Sequence, residues 1–128
     1  MELVPAANSV TITKGDVLVD NGSGLLDVGS SSTAVDVEYI AAQTVTTTVS
    51  GQLVAVFPTR GVRFNADCDA APAQTDIGTV CDLATVATLN PDASTNDLFY
   101  LESIDLSGGA VGTSTRVFGH FVEGAPNA

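Results

Sequence analysis

The feature that most constrains this chain is a period of two. Short runs of apolar or β-branched residues alternate with polar ones, and each run stops at Gly, Asn, Asp or Pro. Val10 and Ile12 fall on one side while Ser9, Thr11 and Thr13 fall on the other, the side-chain geometry of a half-buried strand. Lys14-Gly15-Asp16 then turns the chain into Val17-Leu18-Val19. Asp20-Asn21-Gly22-Ser23-Gly24 composes a turn, because Gly accepts positive φ and Asn and Asp bond their own backbone. Leu25-Leu26-Asp27-Val28 returns from it, so the chain opens with a hairpin and loops again at Gly29 to Thr33.

The same punctuation continues. Val37 to Ala42 reads as a strand, and so does Thr44 to Val49, whose β-branched density would lose side-chain entropy in a helix. Gln52 to Phe57 is the most apolar segment and is expected to be a central strand, ended by Pro58, which has no donor for a ladder. Val62-Arg63-Phe64 is a short strand, and Asn65 to Gly78, without a clean period, is the longest loop. Alternation resumes over Thr79 to Thr88. Asn90 to Asp97 is a turn region, Leu98 to Leu106 a strand, and Thr115 to Val122 the closing strand after Gly108, Gly109 and Gly112. No segment carries a helical period.

Short strands at a spacing of about ten residues predict an all-β domain, a compact small β-barrel, β-tulip-like or β-sandwich fold with long loops. A length of 128 residues suits one such domain. It is expected over 10–123, between a short extended N-terminal arm at 1–9 and a C-terminal tail at 124–128. With 45% hydrophobic but only 5% aromatic residues, the core must be built from Val, Leu, Ile and Ala.

Charge removes one partner class. Four Lys and Arg against fifteen Asp and Glu give a formal net charge of −11, and a polyanion would be repelled, so nucleic acid is not an expected partner. The longest apolar stretch, Leu53 to Phe57, is far short of the roughly eighteen residues a spanning helix needs, so no membrane is expected. The N-terminal residues lack the basic and apolar regions of a secretory signal, which predicts synthesis in the cytoplasm. Cys68 and Cys81 are then expected as reduced, partly buried thiols. Their spacing is not that of a redox pair, and zinc needs more ligands than they and His120 supply.

Few residues are candidates for chemistry. Asn65, Asp67, Asp69 and Asp76 are the densest set of oxygen ligands, but they lack the Gly and Glu of an EF-hand loop and read as a solvated loop. His120 shares a face with Phe118 and Val122 and reads as structural. No Gly-x-Ser-x-Gly elbow or local Cys/His signature is present, and the absence of Trp removes the best platform for a sugar. Neither catalysis nor a cofactor or metal is expected. Gly22 to Gly24 and Gly108 to Gly112 read as turns, since neither precedes a helix or carries a P-loop Lys. Arg60 and Arg63, half of the cations, flank Gly61; they are either internal ion-pair members or contacts to an acidic partner. Leu3-Val4-Pro5 is either an arm that adds main-chain pairs to a neighbour's sheet edge or a frayed terminus.

Val10-Thr-Ile-Thr-Lys-Gly-Asp-Val-Leu-Val19, Gly51-Gln-Leu-Val-Ala-Val-Phe-Pro58, Asp76-Ile-Gly-Thr-Val-Cys-Asp-Leu83 and Arg116-Val-Phe-Gly-His-Phe-Val122 together resemble the small β-rich capsid decoration, or cement, proteins of tailed double-stranded DNA phages. The resemblance implies a β-barrel or β-tulip-like domain on the outer capsid surface of the virion, commonly a homotrimer, whose partner is the major capsid protein. Under it, Leu3, Val4, Pro5, Ala6, Ala7, Arg60 and Arg63 are the expected capsid or subunit contacts. An outer-shell protein touches no packaged DNA, so its acidity is no obstacle. A reading from another class is a carbohydrate- or receptor-binding β-sandwich module. That reading predicts exposed loop aromatics, whereas Tyr39 and Tyr100 both lie in strand patterns.

Overall fold

The computed structural model describes residues 1–122, so the expected tail at 124–128 lies outside the described residues. In chain order the strands are β1 (Glu2–Ala6), β2 (Thr11–Ile12), β3 (Val17–Asp20), β4 (Leu26–Val28), β5 (Tyr39–Ala41), β6 (Val45–Thr46), β7 (Gln52–Pro58), β8 (Phe64–Asp67), β9 (Val80–Leu83), β10 (Leu89–Asn90), β11 (Phe99–Ile104) and β12 (Arg116–Phe121). The helical segments among the described residues are single 3₁₀ turns at Gln74–Asp76 and Leu106–Gly108. The fold is all-β. Strands β1-β4-β3-β5-β7 close into a barrel, β10-β9-β11-β12-β8 form a second, curled sheet, and β2 pairs with β6.

Strand β3 is the wall that the two halves share. Leu18 points into the barrel beside Ala6, Ile12, Leu26, Ala41, Val54 and Val56, while Val17 and Val19 join Cys81, Leu83, Phe99, Leu101, Val117 and Phe121 in the second core. Three consecutive apolar residues are the expected signature of a strand covered on both faces. Each fully buried Val, Leu or Phe contributes roughly 1.5–3 kcal/mol relative to exposure.

The segment expected to extend as an arm is a strand of the barrel. All of β1 pairs antiparallel with β7, from Glu2 opposite Val56 to Ala6 opposite Gln52, and β4 closes the ring by meeting β1 in parallel at Ala6 and Leu26. Val4 and Ala6 face the barrel core, so a short alternation was present but was masked by Pro5. Proline is tolerated there because the β4 side of β1 is almost unpaired, the situation in which sheets accept it.

Two further spans differ from the sequence reading. Phe64–Asp67 is a strand, although Asn65 and Asp67 suggested loop: Phe64 and Ala66 pack on the second core, and the Asn65 and Asp67 side chains are held by Arg116 of the neighbouring strand. Thr44 to Val49 keeps only Val45–Thr46 as strand, because Thr47 is used otherwise. Its hydroxyl donates to Ala7 O at 2.6 Å and accepts from Val10 N at 2.9 Å, pinning the end of β1.

The second sheet stops short of closing. Cys68, just past β8, forms a single parallel bridge with Leu89 of β10, and Asp69 N donates to Leu89 O at 2.9 Å. That bridge pinches one end of the seam between β8 and β10. The turn after β10 is secured by buried Asp82, whose carboxylate accepts from the backbone N–H groups of Thr95, Asn96 and Asp97 at 3.1, 2.7 and 2.8 Å.

Candidate binding surfaces

On the outer face of the second sheet, polar and aromatic side chains converge around Glu102. Tyr100 lies opposite His120 and Leu101 opposite Gly119, after which the register slips and Ser103 lies opposite Phe118. Glu102 is therefore the extra residue of a β-bulge, a device that re-aims a side chain. Its carboxylate accepts from Arg63 Nε at 2.8 Å and from His120 Nδ1 at 2.8 Å. With Nδ1–H committed to Glu102, neutral His120 presents Nε2 as an acceptor. The Arg63 guanidinium stands 4.3 Å over the Phe118 ring, and the Tyr100 and His120 rings lie 5.2 Å apart, tilted by 35°. Hydrogen bonds from Arg63 and then His120 lower the Glu102 pKa below its ordinary 4.5. Arg63, Val80, Tyr100, Glu102 and His120 line a shallow recess of about 580 Å³.

Gly119 makes this strand pairing possible. A Cβ at that position would run into Tyr100 O and lie 2.5 Å from Phe99 Cε1, so the backbones of β11 and β12 approach closely only because no side chain intervenes.

The structure separates the two arginines expected to act together. Arg63 is an internal ion-pair member, on Glu102. Arg60 lines a different recess of about 310 Å³ with Glu2, Asp36, Glu38 and Tyr39. Partial burial, then Glu2 and Glu38, push the Tyr39 phenol above its usual pKa.

The third surface is apolar. In β1 and β7, Leu3 lies opposite Ala55 and Pro5 opposite Leu53, on the face turned away from Val54 and Val56. Leu3, Leu53 and Phe57 are 64%, 55% and 45% exposed. Of the expected contact residues 3 to 7, Leu3 is exposed, Val4, Pro5 and Ala7 are half-buried and Ala6 is buried, with Val4, Ala6 and Ala7 packed on the barrel core. Segment 52–57, expected to be a central strand, does pair on both sides, with β1 and β5, and buries one of its two faces.

The acidic residues of 65–78 do separate jobs. Asp67 pairs with Arg116 Nη1 at 2.6 Å, and Asp76 accepts from Ala73 N at 2.8 Å. Among the described residues, no group of three or more His, Cys, Asp or Glu is placed to hold a metal ion, and no helix is long and apolar enough to cross a membrane. Cys68 and Cys81 are free, buried thiols. Burial first, then nearby charge, pushes both to a pKa of about 12, so neither is a reactive thiolate at neutral pH.

Glu102 escaped the sequence reading, since a bulge leaves no mark in a pattern of two, whereas Tyr100 was weighed only as an aromatic within a strand. The pairing of Tyr100 with His120 was accessible only as equal spacing from the ends of two apolar strands. The chain matches no protein-family model, and no curated protein or solved structure is significantly similar to it.

Proposed function

We propose that this protein is a structural virion protein that binds the outer surface of a tailed-phage capsid as a homotrimer and cements neighbouring major capsid protein subunits. The observation that supports this reading is the outer wall of the barrel. Leu3, Leu53 and Phe57 stand exposed on adjoining strands, and clustered exposed apolar side chains mark docking surfaces on small proteins. The wall belongs to a closed barrel, so it is a rigid face that can press on a joint between subunits without remodelling.

The test is capsid occupancy and shell survival on heating, with mass measurement of the free protein. Wild type should decorate shells and run as a trimer. Leu53→Asp with Phe57→Asp should abolish decoration while the domain stays folded, because both side chains point outward. Wild type that neither binds shells nor forms a trimer overturns the proposal.

One observation favours a second reading, a carbohydrate- or receptor-binding module. Tyr100, Phe118 and His120 share a sheet face with Arg63 and Glu102, a mixture of rings and hydrogen-bonding groups suited to a sugar. Glycan binding lost in Tyr100→Ala, with shells undecorated by wild type, would move this reading ahead.

A further inference from the structure

The seam where the second sheet fails to close holds a recess of about 340 Å³, between β8 on one side and Leu83 and Ala87 to Leu89 on the other, with Ile40 and Lys14 of the barrel half behind it. Its size is that of a small-molecule site. Of the four partly buried apolar residues packed against the second core, Ile40, Phe64 and Ala66 line this one recess. The residual apolar exposure of that core is thus gathered in one place rather than spread over the surface.

The charges around it are unequal. Lys14 and Asp67 are the ionic residues of the lining. Asp67 is already matched by Arg116 Nη1 at 2.6 Å, whereas the ion pairs among the described residues leave Lys14 without a carboxylate. An apolar slot with one cation unmatched among the described residues suits a molecule with an apolar body and one negative end. The Cys68 to Leu89 bridge blocks one end of the seam, so an added strand cannot run through it, while a short molecule can enter.

We propose that the β8/β10 slot binds a short aliphatic carboxylate, its chain against Ile40, Phe64, Leu83 and Phe121 and its carboxylate paired with Lys14. The slot shares no lining residue with the Leu3, Leu53 and Phe57 wall, so ligand binding and shell binding are independent properties. A ligand here also fills the gap that separates β8 from β10, and should stabilise the folded state in proportion to its occupancy.

Titration of the full chain with octanoate, octanol and octylamine, followed by calorimetry and by amide shifts in nuclear magnetic resonance, tests this. The expected order of affinity is octanoate, then octanol, then octylamine, with shifts at Phe64, Ala66, Leu83 and Thr88. Lys14→Gln should weaken octanoate by about tenfold, the scale of one lost charge contact, and leave octanol unchanged. Ala87→Trp, at an exposed lining position, should block all three. No binding of octanoate by wild type overturns the site. Equal affinities across the three ligands, or octanoate binding indifferent to Lys14→Gln, overturn the carboxylate assignment, and the ligand series on wild type decides this even if a variant folds poorly.

Discussion

The barrel closes and the second sheet does not, although both are five strands of the same alternating pattern. The difference lies in what fills them. Aliphatic side chains fill the barrel, Ala6, Ala41, Val54 and Val56 together with Ile12, Leu18 and Leu26, and a core without phenylalanine rings lets five short strands curl to a tight radius. The second core contains Phe64, Phe99 and Phe121, stacked edge to face with centroids 5.4 and 5.0 Å apart. Rings of that bulk hold the walls open, and the price is the seam between β8 and β10. Closure is therefore decided by core volume more than by strand pattern, in keeping with the coupling of barrel size to interior filling.

The sharpest way to break this comparison is to empty each core in turn. Phe99→Ala should cost about 3–5 kcal/mol and Leu18→Ala about 2–5 kcal/mol, read from denaturant unfolding. Because β3 contributes to both cores, each variant should shift one common transition. Two separable transitions would mean that the halves fold independently and that β3 does not couple them.

A smaller effect should be confined to the open half, where both thiols sit. Their pKa is raised from 9.0 to about 12 in the folded protein. The unfolded chain loses these protons first, so their contribution is complete below pH 9 and is lost as pH rises toward 12. Unfolding midpoints measured between pH 8 and pH 11 should fall for wild type and fall less for Cys81→Ala. An equal fall in both would assign the loss to other groups.

How much of this was legible in the sequence differs between the halves. Val17-Leu18-Val19 and the Asp20 to Gly24 turn gave the β3–β4 hairpin directly, because local alternation and turn chemistry agree there. β1 was missed since its alternation is two inward residues long and contains Pro5, and its partner β7 lies some fifty positions away. β8 was placed at Val62 to Phe64 rather than Phe64 to Asp67, because Asn65 and Asp67 are polar for the sake of Arg116, a contact that only the fold creates. The surfaces were less legible still. Arg63 stood out by composition, but Glu102 and His120 reach it through a bulge and a cross-strand pair, and exposure of Leu53 and Phe57 is a property of closure.

The smallest expected effect lies on the outer face of the open half. Glu102 has a lowered pKa from Arg63 and His120, so its contribution is present above its ordinary value of 4.5 and is lost as pH falls through the lowered value. Glu102→Gln should remove that part of the acid dependence, with little change at neutral pH because the group is on the surface. Melting temperatures from pH 6 to pH 3, at low and high salt, check this: an acid dependence identical to wild type would show that the cluster is electrostatically idle.

The order in which the chain is made bears on the seam as well. β12 is the last of the described strands in sequence, yet it lies inside its sheet, between β11 and β8. Until it emerges, β8 has no strand beside it except the single Cys68 bridge, and Phe64 and Ala66 have no covered face to join. A ribosome therefore releases a barrel whose partners β1 to β7 are complete, followed by an open half whose apolar strands wait for the final segment. Long-range pairing of this kind is slow and leaves strand edges exposed meanwhile. The acidic surface of the chain, at a net charge of −11, then serves assembly before it serves the folded state, since like-charged nascent chains keep apart during that wait.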